Sequence, residues 1–285
     1  MNQSNQSVSK QSEEYTIGFV GAGNMASSLI CGMLATGFPA QRLWTADPDA
    51  QQLTKLSDYQ GIHLTSDNTE MVRHVDVVIL AVKPQVLAEI VKPMHEALLV
   101  GNALVISIAA GVNSTALNQW LPDVPVIRCM PNTPALVGQG VTGLFATSAV
   151  SDQQKQAAEM IMQAVGKTVW LDDETLIDSV TAVSGSGPAY FFLMMEAMEA
   201  AAVNLGLTPE TARMLVQQTA LGAATMVSET GKSPAQLRHN VTSPGGTTEK
   251  ALGIFEQHHF KSVVAEALQG AHDRSIELSK IIGQS

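Results

Sequence analysis

The residues Tyr15-Thr-Ile-Gly-Phe-Val-Gly-Ala-Gly-Asn-Met-Ala26 restrict the fold more than any other stretch. An apolar run long enough for one strand stops at two glycines and gives way to a helical pattern from Asn24 to Thr36, so the segment reads as strand, tight turn and helix start. Gly21 takes backbone angles that other residues avoid, Gly23 leaves no side chain between the main chain and a ligand, and Ala26 lets the helix lie against the strand. The free N–H groups of that helix, with about half a positive charge, point at whatever lies over the turn. A pyrophosphate suits that environment. A G-x-G-x-x-A match alone is a common turn. Here a second strand-like segment, Arg42-Leu-Trp-Thr45, follows at the spacing of a βαβ unit. The expected ligand is a dinucleotide on Gly21, Ala22, Gly23, Asn24 and Met25.

Strand-like runs recur at Asp76 to Ala81, Ala103 to Ala109 and Val124 to Met130, with helical stretches at Pro84 to Val91 and Ser114 to Leu121 between them. That alternation is the pattern of an α/β, doubly wound, mostly parallel sheet, whose ligands sit beyond the carboxyl ends of the strands. Two loops expected there, Ala81-Val82-Lys83-Pro84 and Ala109-Ala110-Gly111-Val112, are built of small residues that approach a flat ligand closely, and Lys83 lies near a phosphate or ribose. Met130-Pro-Asn-Thr-Pro134 is a stiff polar turn on the same edge, with Asn132 placed to hydrogen-bond an amide. The segment Gln139 to Ala146, a helix from Ser151 to Val165 and a strand from Lys167 to Leu171 complete this domain. The acidic turn Asp172-Asp-Glu174 marks its end. The expected division is a polar, disordered leader over 1–14, a dinucleotide-binding domain over 15–172 and a helical domain over 173–285.

The second domain reads as all helical: Pro188 to Leu205, a helix capped by Thr208-Pro209 and ended at Gly231, a shorter one from Ser233-Pro234, then Thr247 to His258 and Phe260 to Ile282. The stretch Ala189 to Val203 is apolar on nearly every face apart from Glu196 and Glu199. A domain this small cannot surround such a helix with its own chain, so a homodimer is expected. Asn240-Val-Thr-Ser-Pro-Gly-Gly-Thr-Thr248 sets two glycines and two threonines at a helix start. Its N–H groups, hydroxyls and dipole form an anion nest for which a carboxylate is the natural guest, with Ser243, Gly245, Gly246, Thr247 and Thr248 around it.

A net charge of −10 with no clustered Lys or Arg excludes nucleic acid as a primary partner, and no apolar run is long enough to span a membrane. Two cysteines, Cys31 and Cys129, read as buried small hydrophobes and point to a reducing, cytoplasmic setting. No metal is expected: the seven histidines show no ligand spacing, and His258 and His259 should point apart on a helix.

Together these motifs resemble the pyrroline-5-carboxylate reductase family from Thr16 to Ile282. The resemblance rests on Gly18-Phe-Val-Gly-Ala-Gly-Asn-Met25, Ala81-Val-Lys-Pro84, Ser107-Ile-Ala-Ala-Gly-Val112, Met130-Pro-Asn-Thr-Pro-Ala135, Ser184-Gly-Ser-Gly-Pro-Ala-Tyr190 and Ser243-Pro-Gly-Gly-Thr-Thr248. It implies a Rossmann domain followed by an all-α dimerisation domain, assembly into dimers or larger rings of dimers, and reduction of a cyclic imino acid to proline by NAD(P)H. The active site is then expected between the dinucleotide of one subunit and the helical domain of the dimer. By motif, Thr248 bonds or positions the ring nitrogen, Asn240, Gly246 and Thr247 surround the substrate carboxylate, and Glu174 lines the pocket. The resemblance favours NADPH, with Thr45 and Asn68 near the adenosine ribose. Asp47 argues either way, accepting ribose hydroxyls of NADH or repelling a 2′-phosphate.

Two rivals share parts of this pattern. A 3-hydroxyacid or 6-phosphogluconate type dehydrogenase needs a lysine four residues after Gly187, where this chain has Phe191. A non-catalytic dinucleotide sensor needs no second anion nest.

Overall fold

Runs such as Ile17-Gly-Phe-Val20 and Val77-Val-Ile-Leu80 are apolar at every position, as strands covered on both faces must be. The computed structural model describes residues 15–282, so the leader expected over 1–14 lies outside the described residues. Eight strands form one sheet: β1 (Ile17–Val20), β2 (Leu43–Ala46), β3 (His63–Thr65), β4 (Val77–Leu80), β5 (Leu104–Ser107), β6 (Val126–Met130), β7 (Gly140–Ala146) and β8 (Gly166–Trp170). Their order is β3-β2-β1-β4-β5-β6-β7-β8, and every pairing is parallel except β6 with β7. The order reverses between β1 and β4, which opens a crevice at their carboxyl ends.

Alternate residues of each strand feed separate cores. Ile17, Phe19, Val77, Ile79, Leu104, Ile106 and Ile127 share one face with the helices α1 (Asn24–Ala35) and α7 (Asp152–Gln163). Val20, Val78, Leu80, Val105 and Val126 face the other helices of the sheet: α2 (Ala50–Thr54) lies outside this cluster, while α3 (Asn68–Val72), α4 (Pro84–Val91), α5 (His95–Val100) and α6 (Ser114–Trp120) supply Met71, Leu87, Leu98 and Leu117 to it. At about 1.5–3 kcal/mol for each large side chain fully buried, these two layers dominate the stability of the first unit. β3, α3 and α5 are too short or too polar to announce themselves in the sequence, and they were not anticipated.

The chain divides into two compact units, one of residues 15–185 with 271–282 and one of Ser186–Gly270. The polar turn at Asp172-Asp-Glu174 reads as a boundary in the sequence, yet the chain stays with the sheet beyond it. Ile177 of α8 (Leu176–Val180) is buried, and a π-helical turn, Thr181–Gly185, follows before the division.

The second unit is built from α9 (Gly187–Asn204), α10 (Pro209–Thr230), α11 (Pro234–Asn240), α12 (Thr247–Gln257) and the first part of α13 (Phe260–Ile282), whose end belongs to the first unit. Its punctuation follows the sequence closely: Thr208 and Ser233 cap α10 and α11 through their side chains, and Gly231 ends α10 in a left-handed turn. The two adjacent histidines depart from expectation. His258 caps the end of α12 and His259 has φ 53°, so they form the corner between two helices and do not lie on one. On α9, Phe191, Phe192 and Leu193 are 69%, 62% and 66% exposed, an apolar surface that a lone chain leaves in water.

Candidate active site

Gly21 follows β1 with φ 96° and donates its N–H to Ala46 O at 2.8 Å. A Cβ at this position would lie 2.8 Å from Ala81 O, so the loops after β1 and β4 touch through the glycine's bare face. Sequence reasoning named both as cofactor loops, and the fold brings them together. Gly23 caps α1 without any side-chain acceptor, and a Cβ there would meet nothing within 4 Å. Open space above unsatisfied helix N–H groups is the cradle that a pyrophosphate requires. Asn24 is exposed and Met25 half-buried beside it. Lys83 is exposed at the N-cap of α4, with Pro84 at its first position. Ala109 and Gly111 are buried in the loop after β5 while Ala110 is exposed, next to the exit of β4.

The region around β2 and the start of α3 carries two unusual atoms. Thr45 Oγ1 and Asn68 Oδ1 are buried without a hydrogen-bond partner among the described residues, although Thr45 itself has no exposed surface. Such orphans cost about 1–3 kcal/mol each, and of the two only the half-buried Asn68 has surface to offer a ligand, since Thr45 is fully enclosed. Asp47 is committed elsewhere: its Oδ2 accepts from Ala22 N–H at 2.8 Å and its Oδ1 from Asp49 N–H at 2.9 Å. The carboxylate therefore braces the glycine turn from β2.

Asn132 likewise turns inward. It donates to Ser184 O at 3.1 Å and accepts from Val141 N–H at 2.9 Å, so the amide it was expected to meet is one of the protein's own. Cys129 is buried and desolvation pushes its thiol pKa well up, whereas Cys31 is only half-buried and donates to the Tyr59 hydroxyl at 3.3 Å.

In the second unit, Ser243-Pro-Gly-Gly246 forms a tight turn closed by Gly246 N–H to Ser243 O at 3.0 Å, with Gly245 at φ 71°. Gly246 then caps α12 with no side-chain acceptor. Glu249 reaches back from the third position of the helix to accept from Gly245 N–H at 2.8 Å, which holds the turn in shape. Thr247 and Thr248 open the helix, and the Thr248 hydroxyl has no hydrogen-bond partner among the described residues. Asn240 ends α11 just before the turn and is exposed, as is Ser243.

A chain of about this length with 49% identity over 269 residues, covering 94% of this chain and 98% of its own, is the pyrroline-5-carboxylate reductase of Pseudomonas aeruginosa. The chain belongs to the pyrroline-5-carboxylate reductase family. The family's dimerisation model matches residues 174–278, and a model of NADP oxidoreductases that depend on coenzyme F420 matches residues 16–111. A solved reductase of this family from Coxiella burnetii superposes with a TM-score of 0.89 at 43% identity, covering 93% of this chain and 98% of its own. The Plasmodium falciparum reductase, solved with NADP bound, gives 0.83 at 30% identity over 94% and 99% of the two chains. The fold expectation, a Rossmann sheet followed by a helical dimerisation domain, is what these relatives share.

Glu174 is the member of the expected site with the most informative surroundings. Its Oε1 accepts from Ser114 N–H at 2.6 Å and pairs with Arg128 Nη1 at 2.5 Å, and its Oε2 accepts from the Ser114 hydroxyl. Burial raises its pKa, but the bonds from Ser114 and Arg128 outweigh burial and hold the carboxyl below its usual range. Both oxygens are thus occupied inside the first unit. Arg128 and Ser114 were not anticipated. The available signal was a lone arginine in the apolar strand Val126-Ile-Arg-Cys-Met130, because a buried cation needs an acidic partner.

Proposed function

We propose that the chain reduces the C=N bond of 1-pyrroline-5-carboxylate to proline, the last step of proline biosynthesis, with the first unit holding NAD(P)H and the second holding the substrate's carboxylate. The observation that supports this reading most is the pair of glycine turns, each leading into a helix whose glycine N-cap makes no side-chain cap bond, within a chain of this family. When bound, the dinucleotide supplies hydride to the imine carbon, which is electrophilic once its nitrogen is protonated. The protein's task is to orient the two rings and fix the carboxylate. Gly21 to Met25 hold the pyrophosphate, Ala81 to Pro84 and Ala109 to Gly111 flank the remainder of the cofactor, and Asn68 serves the ribose. Asn240, Ser243, Gly245, Gly246 and Thr247 surround the carboxylate. The Thr248 hydroxyl, which lacks an internal partner, is free to bond the ring nitrogen.

NADPH is the proposed cofactor, with NADH as the weaker alternative. Each oxygen of Asp47 already accepts one main-chain N–H, which fixes the carboxylate against the glycine turn. We further propose that the exposed apolar face of α9 is covered in a homodimer, which builds into a larger ring of dimers, and that the enzyme acts in the cytoplasm. No helix among the described residues is long and apolar enough to cross a membrane.

The deciding experiment follows NADPH oxidation by the purified protein with the cyclic imine as the only acceptor. Turnover with proline as product supports the reading. Binding of NADPH without turnover would favour a dinucleotide sensor.

A further inference from the structure

The ion pair beneath the loop after β5 belongs to no ligand site, yet its location is informative. Arg128 is paired in register with Ser107, which is paired with Leu80, which is paired with Val20. These four residues form one row across the sheet, and the row lies at the carboxyl ends from which the cofactor loops emerge. Arg128 is 7% exposed, so its charge depends on a partner. Glu174 supplies that charge, and with its two oxygens also takes the N–H and the hydroxyl of Ser114, the first residue of α6. The loop Ala109-Ala-Gly-Val112 ends at this helix.

The loop is held from a second side. A Cβ at Gly111 would lie 3.0 Å from Ile282 Cδ1 and 3.5 Å from Leu278 Cβ, so the end of α13 packs directly on it. That end is tied down by Ser275, whose hydroxyl donates to Asp178 Oδ1 at 2.5 Å. Glu174 and Asp178 lie four residues apart on one short stretch. One of them fixes the loop through α6 and the other through α13.

We infer that Glu174 is a positioning residue for the hydride transfer, setting the Ala109–Val112 loop through Ser114 and Arg128 and making no contact with the substrate. The inference rests on the proposed reductase reading for its kinetic test, but its geometry stands on the first unit alone. Three of the roughly four acceptor sites of the Glu174 carboxylate are taken inside the first unit, two on Oε1 by Ser114 N–H and Arg128 and one on Oε2 by the Ser114 hydroxyl. Arg128 accounts for the charge of Glu174, and Ser114 accounts for its aim.

Three variants separate the possibilities: Glu174→Gln, Ser114→Ala and the two combined. In steady-state assays with NADPH and 1-pyrroline-5-carboxylate, Glu174→Gln should lower kcat about tenfold, with KM for the imine within about twofold of wild type. The double variant should be no slower than the slower single one, because both substitutions remove the same constraint. NADPH affinity, titrated by fluorescence, should change less than about threefold, since the pyrophosphate turn lies elsewhere in the sheet. Independently of turnover, hydrogen exchange of the 108–114 amides should rise at least about tenfold in Glu174→Gln while that of 18–25 stays as in wild type. A higher imine KM with additive losses would place Glu174 on the substrate and overturn the inference. So would a lower melting temperature with exchange raised evenly across the sheet and unchanged kcat. If Glu174→Gln does not fold, Ser114→Ala, which keeps the ion pair whole, must still slow turnover and loosen 108–114, and failure on both counts overturns it. A wild-type protein inactive on the imine would refute the reductase reading, while the exchange result would still decide the role of Glu174.

Discussion

Two glycine turns, one after β1 and one before α12, use the same local device in different surroundings. Each has a glycine at positive φ, Gly21 at 96° and Gly245 at 71°, and each leads to a helix capped by a second glycine, Gly23 or Gly246, that offers no side-chain acceptor. At the first turn everything nearby is fixed by the sheet: Ala46 accepts from Gly21, Asp47 from Ala22, and the Ala81 carbonyl closes on the bare face of the glycine. At the second, a Cβ on Gly245 would meet nothing within 4 Å, and the brace comes from Glu249 of the same helix. The first turn is made by tertiary structure and held in one shape by its neighbours. The second is made locally, and its free groups still face solvent.

This contrast can be broken or sharpened by substitution, and the largest effect is expected at the first turn. Gly21→Ala combines left-handed strain of about 1–3 kcal/mol with a backbone collision, so NADPH affinity should fall roughly hundredfold. An affinity within threefold of wild type, by fluorescence titration, would show that the turn relaxes as easily as the other one. In the role we propose for Thr248, Thr248→Ala removes a hydrogen bond to a charged group, about 1.5–3 kcal/mol, hence roughly ten- to hundredfold in kcat/KM for the imine. Unchanged kinetics would take Thr248 out of the mechanism.

Asp47→Ala removes the brace that β2 gives the first turn. The expected loss is about tenfold in affinity for NADPH and NADH alike, because the pyrophosphate we propose for this turn is common to both. A loss confined to NADH would return Asp47 to the ribose. Gly245→Ala carries strain of roughly 1 kcal/mol with no collision, and KM for the imine should rise only severalfold. A loss as large as that of Gly21→Ala would mean that the second turn is crowded in the working enzyme.

The smallest effect concerns acid. Since the folded state holds the Glu174 carboxyl below the ordinary value of 4.5, its contribution to stability is complete above that value and is lost as pH falls through the depressed one. Glu174→Gln should therefore flatten the decline of the melting temperature on going below about pH 5. An unchanged slope would mean that other carboxylates govern acid unfolding.

Much of this was legible from residues alone. Continuous apolar strands, a glycine turn and a helix start are short-range signals, so β1, the turn at Gly21 and α1 could be placed directly, as could the caps at Thr208 and Ser233. Position along the chain does not reveal what a polar side chain meets. Asn132 and Asp47 looked poised for a ligand, yet both are absorbed by main-chain groups from other strands. The turn at Asp172 looked like a boundary because it is polar, while the ion pair that keeps the following residues with the sheet spans 46 positions.

The sequence by itself determined the fold class, the family and the two glycine turns, because each is encoded within a few consecutive residues and their periodicity. Only the tertiary structure decided which polar groups remain free. Ser114, Arg128 and Glu174 are far apart in the chain and meet because β6, α6 and the stretch before α8 converge at one end of the sheet. A buried charge must find its partner wherever the fold puts it, and local pattern carries no record of that choice.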